Sequence, residues 1–579
     1  MPYALDQFRN EIHTAIAATG LVAAALIETQ TPKSTIPADL AFPAFRAAKE
    51  RHVPPPQLVQ ELAALLHFGD ESLVGEVKAT GPFLNLGLHP QRFAAAVVRD
   101  ILTDGDRYGF QALGSGRTIV IDYSAPNIAK RLHVGHIRST IIGQALVNMF
   151  RALGYRVVGD NHLGDWGTQF GTIIASIKRF GQPQIEGEAA LEQLESIYSR
   201  YSNEAKAQPA LEEEARHWSL RLEQGDPQAR ELWQWCVDLT LRASQRNYDR
   251  LGIRFDHAYG ESFYESMLAG VIEEALTKGV AFRDAGGAVV VDQLADKIPT
   301  FLLQRSDGGT LYMTRDVATI LFRLKQFTPE RVIYVVGAPQ ELHFRQLFTL
   351  VKAMGHSANT ELVHIAFGTV FDTEGVALST RRGNMVYLES LLDDAIVRAR
   401  AIVEAKKPDL PADEKQAVAE AVGVGAVVYN DLYQDTRRNI VLDWERMLAL
   451  EGNSATYLQY SHARCCSIFR RAAEQGIEVP TATSDSTHLL VHPAEQKLLK
   501  HLARLPEALR EATERYAPFV IADWCYTSAR EFGSFFEQCS VLQAENNELR
   551  TARLLLVKAT GQALKNGLAL LGIRAPERM

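Results

Sequence analysis

The fold is decided by residues 118–162, which read TIVIDYSAPNIAKRLHVGHIRSTIIGQALVNMFRALGYRVVGDNH. The opening TIVIDYS is a β-branched run typical of a buried parallel strand. The helix that follows carries Ile137, Ile141 and Met149 on one face, and Gly154 ends it before a second strand, RVVGDNH. Strand, helix and strand over so short a distance form one βαβ unit of a doubly wound, Rossmann-type parallel sheet.

Composition indicates an ordinary globular protein of several domains. The 579 residues are 46% hydrophobic and 22% charged, which excludes collagen, coiled-coil rods and general disorder. The five cysteines form no C-x-x-C pair, so we expect neither a disulfide scaffold nor a cysteine-rich zinc module. Asp6 and Glu11 argue against a signal peptide, and no apolar run has the length of a membrane span. We therefore expect a soluble, cytoplasmic protein, and the net charge of −8 argues against a uniformly basic nucleic-acid binder.

Changes of pattern along the chain divide it into four segments. Residues 1–112 combine helices with a short strand, as in an α+β domain. Residues 113–375 carry the Rossmann-type parallel-sheet domain, interrupted from about 185 to 300 by Glu-, Gln-, Arg- and Trp-rich stretches that we interpret as helical insertions. Residues 376–455 and 456–579 are nearly all helix-patterned, the last of them as an all-α bundle. The predicted fold class is thus α/β multidomain.

The loop between the first strand and its helix carries the main chemical signal, PNIAKRLHVGH at residues 126–136. At this place a doubly wound fold presents backbone N–H groups and a helix N-terminus to phosphate. His133 and His136 can donate to phosphate oxygens, Gly135 leaves room for an adenine ring, and Lys130 adds positive charge. Two alternatives stay open: the histidines cap the helix, or they bind zinc, although neither a third ligand nor an H-E-x-x-H frame is visible.

A second loop, ALSTRRGN at residues 377–384, has the composition of a phosphate clamp. Its hydroxyl groups and guanidiniums suit a triphosphate. Arginine pairs in surface loops are otherwise often only solvated, so this loop is informative because it follows the last strand of the same sheet.

Together these strings resemble the arginyl-tRNA synthetases, a family of class I aminoacyl-tRNA synthetases. The resemblance extends from the N-terminal segment to the end of the chain and is carried by SAPNIAKRLHVGHIRSTIIG, GDNHLGDWGTQFG, LYMTRDVATILFR, QELHFRQL, LSTRRGN, EGNSATYLQYSHAR and LALLGIRAPERM. It implies a ligase that makes arginyl adenylate from arginine and ATP and transfers arginine to tRNA(Arg), with activation that requires bound tRNA. It further implies Mg²⁺ bound with the nucleotide and no metal site in the protein.

The same resemblance implies a role for each segment. The N-terminal domain is implied to touch the tRNA elbow, residues 113–375 to form the catalytic domain, residues 376–455 to contact the stem and residues 456–579 to bind the anticodon. The resemblance also implies a monomer.

Arginine recognition requires carboxylates in a fork geometry beside an aromatic or amide group. Asp122 ends the first strand, and Tyr312 and Asp316 lie one helical turn apart. From the residues alone, Asp316 could equally cap a helix, Tyr312 belong to a core and Gln340 start the next helix. By resemblance, the arginine-binding positions are Asp122, Asn127, His133, Tyr312, Asp316 and Gln340.

The second loop departs from the class I pattern K-M-S-K-S, because Ala377 and Thr380 stand where the lysines would be. Many arginyl enzymes share this departure and carry a lysine just before H-x-G-H, the position of Lys130. We therefore predict Lys130, His133 and His136 as catalytic residues, and the loop arginines as an alternative source of the phosphate-stabilising cation. The implied ATP-binding residues are Pro126, His133, Gly135, His136, His343, Ser379, Thr380, Arg381 and Arg382.

Contacts with tRNA are implied at both ends of the chain. Phe83 and Asn85 match positions that pack on and hydrogen-bond a splayed D-loop base, which is ordinary RNA-recognition chemistry. Alternatively, Phe83 belongs to the core and Asn85 is a polar residue at a strand edge. At the C-terminal end the implied contacts are Tyr457, Gln459, Tyr460, Arg464 and Met579.

Two other functions are compatible with parts of the sequence. A small-molecule nucleotidyltransferase also holds ATP with H-x-G-H, but it needs neither the extra domains nor QELHFRQL. A synthetase-like protein that binds tRNA without charging it would explain the missing loop lysines, but not the retained Asp122, Tyr312 and Asp316.

Overall fold

The computed structural model describes residues 2–33, 35–295, 298–378, 386–480 and 485–579. These residues form an N-terminal α+β domain, a parallel-sheet domain with insertions, and a helical C-terminal region. The predicted fold class is therefore confirmed. No helix among the described residues is both long and apolar enough to cross a bilayer.

The N-terminal domain is an antiparallel sheet packed against helices, among them α4 Pro90–Asp104. The strands are β1 Leu40–Pro43, β2 Val74–Thr80 and β3 Phe83–Leu88, and their order in the sheet is β1-β3-β2. The sequence pattern predicts β3 and α4 but misses β1, which has only four residues and ends in proline, and β2, VGEVKAT, whose side chains are mostly polar or small. The elements are α1 Ala4–Ala18, β1 Leu40–Pro43, α2 Phe45–Glu50, α3 Pro55–Leu65, β2 Val74–Thr80, β3 Phe83–Leu88 and α4 Pro90–Asp104.

The parallel-sheet domain follows and contains both the sheet and its insertions. Its elements are β4 Thr118–Asp122, α5 Val134–Ala152, β5 Arg156–Asp160, α6 Gln169–Phe180, α7 Glu188–Ala207, α8 Pro209–Glu223, α9 Pro227–Leu251, α10 Leu268–Thr277, β6 Phe282–Arg283, β7 Val289–Val291, β8 Phe301–Gln304, α11 Tyr312–Phe327, β9 Arg331–Gly337, α12 Glu341–Ala353, β10 Glu361–Phe367 and β11 Val370–Phe371.

The central sheet has the order β10-β9-β4-β5, with every strand parallel to its neighbours. The first strand, β4, is internal, because the chain leaves it on one side through α5 to β5 and returns on its other side as β9. The strand order therefore reverses between β4 and β9. In open α/β sheets ligands bind outside the carboxyl ends of the strands at such a switch point.

The insertion is only partly helical. Helices α7, α8 and α9 match the predicted pattern, but the strands β6, β7 and β8 then form an antiparallel sheet. The prediction of helix as far as residue 300 is wrong there. The run Val289–Val291 is entirely β-branched and follows two glycines that make the turn, which favours a hairpin.

The C-terminal region is almost entirely helical, as the pattern predicts. A two-residue strand, β12, pairs with β11 in parallel. The elements are α13 Leu388–Lys406, α14 Ala412–Leu432, β12 Ile440–Val441, α15 Trp444–Met447, α16 Ala455–Glu474, α17 Pro493–Leu502, α18 Leu505–Glu514, α19 Phe519–Gln538 and α20 Asn547–Leu570.

A buried ion pair joins the parallel-sheet domain to the C-terminal helices. Arg138 on α5 donates to both carboxylate oxygens of Asp431 on α14, with N–O distances of 3.0 to 3.2 Å. It also donates to the carbonyl oxygens of Thr436 and Arg438. Both charged side chains are almost fully buried, at 1% and 2% exposure, so breaking the pair would leave an uncompensated charge inside the protein.

Candidate active site

The loop after β4 ends in a helix cap made by its two histidines. His133 is the N-cap of α5, and its Nδ1 accepts a hydrogen bond from the Gly135 N–H at 3.0 Å. The Nδ1 of His136 accepts from the His133 N–H at 3.2 Å. A Cβ on Gly135 would lie 2.8 Å from the His133 ring, so this close packing requires glycine. Capping, left open by the sequence, is therefore observed.

These bonds fix the protonation of both rings. Because Nδ1 accepts in each case, the proton of the neutral imidazole lies on Nε2. Burial lowers the pKa of His136 to about 3, with His133 and Lys130 adding to the effect. Burial and the charge of Lys130 also lower the pKa of His133. At neutral pH both side chains are uncharged donors, so neither neutralises phosphate charge.

Lys130 is the free cation of this loop. Its side chain is exposed, and no group in the described ranges hydrogen-bonds or pairs with its ammonium. Its charge is close enough to influence the pKa of both histidines. An unpaired ammonium beside two neutral donors suits a polyanionic ligand.

The loop backbone is held in a strained shape. Ser124, Ala125 and Ala129 have φ angles of +75°, +48° and +62°, which residues other than glycine rarely adopt. Side chains of the surrounding core accept the three backbone N–H groups. The bonds run from Ser124 to Ser139 Oγ at 2.9 Å, from Ala125 to Asn161 Oδ1 at 3.1 Å, and from Ala129 to Thr240 Oγ1 at 2.9 Å. Strain fixed by buried partners is characteristic of functional loops.

Asp122 lies at the end of β4 within a buried charge cluster. Its Oδ2 accepts from Arg323 at 2.7 Å, and the same guanidinium donates to Asp160 Oδ2 at 2.6 Å. Arg323 on α11 is completely buried. A contact between Asp122 and a substrate guanidinium would therefore have to use the other carboxylate oxygen.

Tyr312 and Asp316 lie in the first turns of α11, and Gln340 lies directly before α12. The helix begins at Tyr312 with Leu311 as N-cap, so Asp316 is inside the helix and is not a cap. Tyr312 is 68% exposed and is not a core residue. Asp316 Oδ2 lies 2.6 Å from His343 Nε2, which links α11 to α12. His343, implied as an ATP contact, is therefore engaged with the predicted arginine-binding carboxylate.

Asn127 and Pro126 are attached to the loop that follows β5. The Gly164 N–H donates to the Pro126 carbonyl at 3.0 Å, and Ile128 donates to the Gly164 carbonyl at 3.1 Å. The Asn127 amide oxygen would lie 2.6 Å from a Cβ at position 164. Asn127 is exposed. It is thus held in place with its side chain accessible.

The second loop lies mostly outside the described residues. Ser379, Thr380, Arg381 and Arg382 all fall in the gap at 379–385. The segment that follows it is described and pairs with the histidine loop. The Val134 N–H donates to the Val386 carbonyl, and the Leu388 N–H to the Leu132 carbonyl, both at 2.9 Å. The residues that follow the second motif therefore lie beside the cap of α5.

One acidic residue near this site was not among the sequence candidates. Burial raises the pKa of Glu261 to about 7, which Arg315 opposes and Asp316 reinforces. Its carboxylate lies 3.4 Å from Arg315. A single glutamate at the start of a short 3₁₀ helix gives no pattern in the sequence, and only the fold brings it near Asp316.

A small cleft of the N-terminal domain contains Asn85. Asn85 is 4% exposed, and its Oδ1 has no hydrogen-bond partner among the described residues. A cavity of about 190 Å³ borders this side chain together with Glu76, Lys78 and Thr80. Phe83 is partly exposed and packs edge-to-face on Phe45, with ring centroids 5.6 Å apart.

The anticodon-side candidates separate into accessible and internal residues. Arg464 stacks over Tyr460, with 4.9 Å between the guanidinium carbon and the ring centroid, and both are partly exposed. Tyr457 is partly exposed as well. Gln459 is fully buried, and its amide donates to the carbonyls of Ala421 and Arg574, so it acts within the fold.

Met579 is also internal, at 8% exposure within the apolar core. The residues just before it bind α16, because the Pro576 carbonyl lies 2.9 Å from His462 Nδ1. Both Gln459 and Met579 are thus oriented toward the protein interior rather than toward RNA.

Comparison with known proteins agrees with this geometry. Residues 97–444 match the family described as tRNA synthetases class I (R), catalytic domain, residues 6–88 the arginyl tRNA synthetase N terminal domain, and residues 458–579 the DALR anticodon binding domain. The chain belongs to the arginyl-tRNA synthetase family. It is 67% identical to the arginine–tRNA ligase of Chloroflexus aggregans over 579 residues, which is the full length of both chains.

Other relatives extend this result. An arginine–tRNA ligase of Alkaliphilus metalliredigens is 38% identical over 551 residues, 95% of each chain. The solved arginyl-tRNA synthetase of Thermus thermophilus superposes with a TM-score of 0.80 at 26% identity, covering 99% of each chain. The protein is accordingly a class I aminoacyl-tRNA synthetase, an enzyme of the ligase class.

The low pKa of His136 predicts a pH-dependent stability. In the unfolded chain this histidine takes up a proton below about pH 6.5, whereas in the folded protein it does so only near pH 3. Its contribution to stability is complete above about pH 6.5 and is lost as the pH falls toward 3. Between about pH 7.5 and about pH 5 the loss is about 2 kcal/mol.

Urea unfolding of the natural protein and of His136→Asn at both pH values measures this effect. The natural protein should lose about 2 kcal/mol more than the variant on acidification. Equal losses in the two proteins would show that His136 is readily protonated in the folded state.

Proposed function

We propose that this enzyme makes arginyl adenylate from L-arginine and ATP at the carboxyl edge of its parallel sheet and then transfers arginine to the 3′-terminal ribose of tRNA(Arg). The proposal is supported by two features that lie together at this edge of the sheet. One is a helix cap with neutral donors beside the exposed Lys130, and the other is the Asp316 carboxylate with the exposed Tyr312 ring on α11. The first suits a triphosphate and the second a guanidinium.

In this proposal Asp316 binds the guanidinium of arginine, with the exposed Tyr312 ring beside it. A charged carboxylate and an aromatic face are the groups that a planar guanidinium prefers. Gln340 and Asn127 supply amide contacts, and the free oxygen of Asp122 receives the remaining donor. The bond to His343 keeps the Asp316 carboxylate in place.

ATP lies across the cap of α5. The Nε2–H groups of His133 and His136 donate to the α- and β-phosphates, while Gly135 and Pro126 adjoin the adenine. The arginine carboxylate then attacks the α-phosphorus, the bond to the bridging oxygen breaks, and pyrophosphate leaves with the electron pair. Lys130 stabilises the charge that develops on the leaving group, assisted by Ser379, Thr380, Arg381 and Arg382.

Transfer follows at the same place. A terminal ribose hydroxyl of tRNA attacks the activated carbonyl, and AMP leaves. Mg²⁺ would enter with ATP and would offset the negative charge of its phosphates. We also propose that the enzyme is a monomer and acts in the cytoplasm.

The N-terminal domain, residues 376–455 and the C-terminal helices each bind a different part of the tRNA. Asn85 offers an unpaired amide oxygen in a cleft, and Phe83 a neighbouring ring, which together suit one unstacked base of the tRNA elbow. Residues 376–455 adjoin the acceptor stem. Tyr457, Tyr460 and Arg464 provide aromatic and cationic faces for the anticodon loop.

Charging assays with tRNA(Arg) and each of the twenty amino acids test this function. Only arginine should become esterified to the tRNA, with release of AMP and pyrophosphate, because the Asp316 carboxylate beside the Tyr312 ring favours a guanidinium. Efficient charging with any other amino acid would exclude the proposed substrate. ATP turnover without charging would favour the nucleotidyltransferase alternative, and tRNA binding without either activity the non-charging one.

Lys130→Ala tests the assignment of the phosphate-stabilising cation. Loss of a preorganised charge contact should lower kcat by about 100-fold, because the charge develops mainly in the transition state. The arginine KM should stay nearly unchanged. Steady-state charging kinetics measure both parameters, and Lys352→Ala, on the exposed end of α12, is the control for removal of a lysine.

Lys130→Arg should restore only part of the rate, since a guanidinium is larger and directs its donors differently. If Lys130→Ala keeps full kcat while Arg381→Ala or Arg382→Ala loses it, the stabilising charge lies in the second loop.

A further inference from the structure

Arg131 stands where three parts of the catalytic domain meet. It lies just before His133 in the loop between β4 and α5, which we call the ATP loop. It also faces helix α7 of the insertion and contacts the segment that follows the second loop. Its side chain is 14% exposed although it carries a charge. A charge buried this far needs specific partners.

The first partner is Glu195 on α7, which binds Arg131 twice. The Arg131 backbone N–H donates to Glu195 Oε1 at 2.7 Å, and its side-chain Nε donates to Glu195 Oε2 at 3.0 Å. One carboxylate thus fixes both the backbone and the side chain of the same residue. Glu192, one turn earlier on α7, lies 3.2 Å from Nη1 but is mostly exposed.

The second partner is Tyr387. The Arg131 guanidinium lies 3.6 Å from the centroid of the Tyr387 ring, which is close stacking. Tyr387 forms an antiparallel bridge with His133, and its hydroxyl donates to Glu195 Oε2 at 3.5 Å. The stacked pair therefore lies beside the short antiparallel ladder that joins residues 132–134 to residues 386–388.

We infer that Arg131 is a positioning residue that holds the ATP loop in register with the segment entering from the second loop, using Glu195 on α7 as its anchor. The inference rests on the proposed function, because it assumes that ATP binds at the His133 cap. Arg131 acts through the backbone of residues 132–134 and not by touching the substrate. Its removal disturbs the alignment of the His133 cap, which is the part of the site that receives phosphate.

Arg131→Ala should therefore lower kcat/KM for ATP by at least about tenfold, since small displacements of aligned groups have large effects on rate. The arginine KM should change by less than about twofold, because no described residue of α11 or α12 forms a hydrogen bond or ion pair with Arg131. Charging kinetics with ATP and arginine varied separately measure this difference. The control is Arg179→Ala on α6, which breaks a salt bridge to Glu204 on the same helix α7 and should leave both parameters unchanged.

Two further comparisons test the contacts themselves. In a double-mutant cycle, Arg131→Ala with Glu195→Gln should lose less than the product of the single losses, since the two residues act as a unit. Tyr387→Leu, which removes the stack, should weaken use of ATP as well, whereas Tyr387→Phe should remain close to the natural enzyme. The Tyr387 pair also tests the inference if Arg131→Ala does not fold.

The inference is overturned if Arg131→Ala and Tyr387→Leu use ATP as well as the natural enzyme does. It is also overturned if the variants lose ATP and arginine parameters equally together with thermal stability, which is the result of a purely structural role. A natural protein that charges no tRNA would instead refute the proposed function, and this inference with it.

Discussion

The guanidinium of Arg323 is the interaction on which the catalytic edge of the sheet depends. Asp122 and Asp160 occupy paired positions on the neighbouring parallel strands β4 and β5, so their carboxylates lie on the same side of the sheet. Two carboxylates this close cannot remain charged in the interior without a cation. Arg323 lies between them and donates to both. The fork-shaped guanidinium suits this bridging role better than an ammonium.

The same contact fixes the position of α11. Asp316 lies about two helical turns before Arg323, so anchoring one end of the helix sets the place of the other relative to the sheet. The cluster itself is polar and incompletely satisfied. Among the described residues, Arg323 Nη1 has no hydrogen-bond partner within 3.5 Å, and the guanidinium faces the ring of the nearby Tyr334. A buried polar network with an unused hydrogen-bonding group suits a position directly beneath a charged substrate.

The loop between β4 and α5, where we propose that ATP binds, offers hydrogen-bond donors in place of buried charges. This loop keeps a strained backbone, neutral imidazoles and an exposed ammonium, which together provide oriented donors with little buried charge. The fixed donors need no rearrangement when charge develops, which is the main advantage of a preorganised site. The two halves of the site are linked through the β4 loop, which begins at Asp122 and ends at His133.

The βαβ unit at residues 118–162 could be predicted from sequence because periodicity and the position of Gly154 reveal it directly. The histidine cap could be located for the same reason, although its charge state could not, since the low pKa of His136 arises from burial. Arg323 could not be recognised, because its partners are about 160 and 200 residues distant. Helical spacing likewise placed Gln459 beside Tyr460, but spacing alone cannot distinguish the face that packs against Ala421 from the exposed one.

We propose that α11, anchored by Arg323, presents Asp316 to the guanidinium of arginine. The most direct measurement is the arginine KM of Asp316→Asn, with the ATP KM measured in parallel and Asp394→Asn, on the exposed side of α13, as control. Loss of charge-assisted hydrogen bonds should raise the arginine KM by about 10- to 100-fold and leave the ATP KM within about twofold. An unchanged arginine KM in a folded, active Asp316→Asn variant would contradict the account.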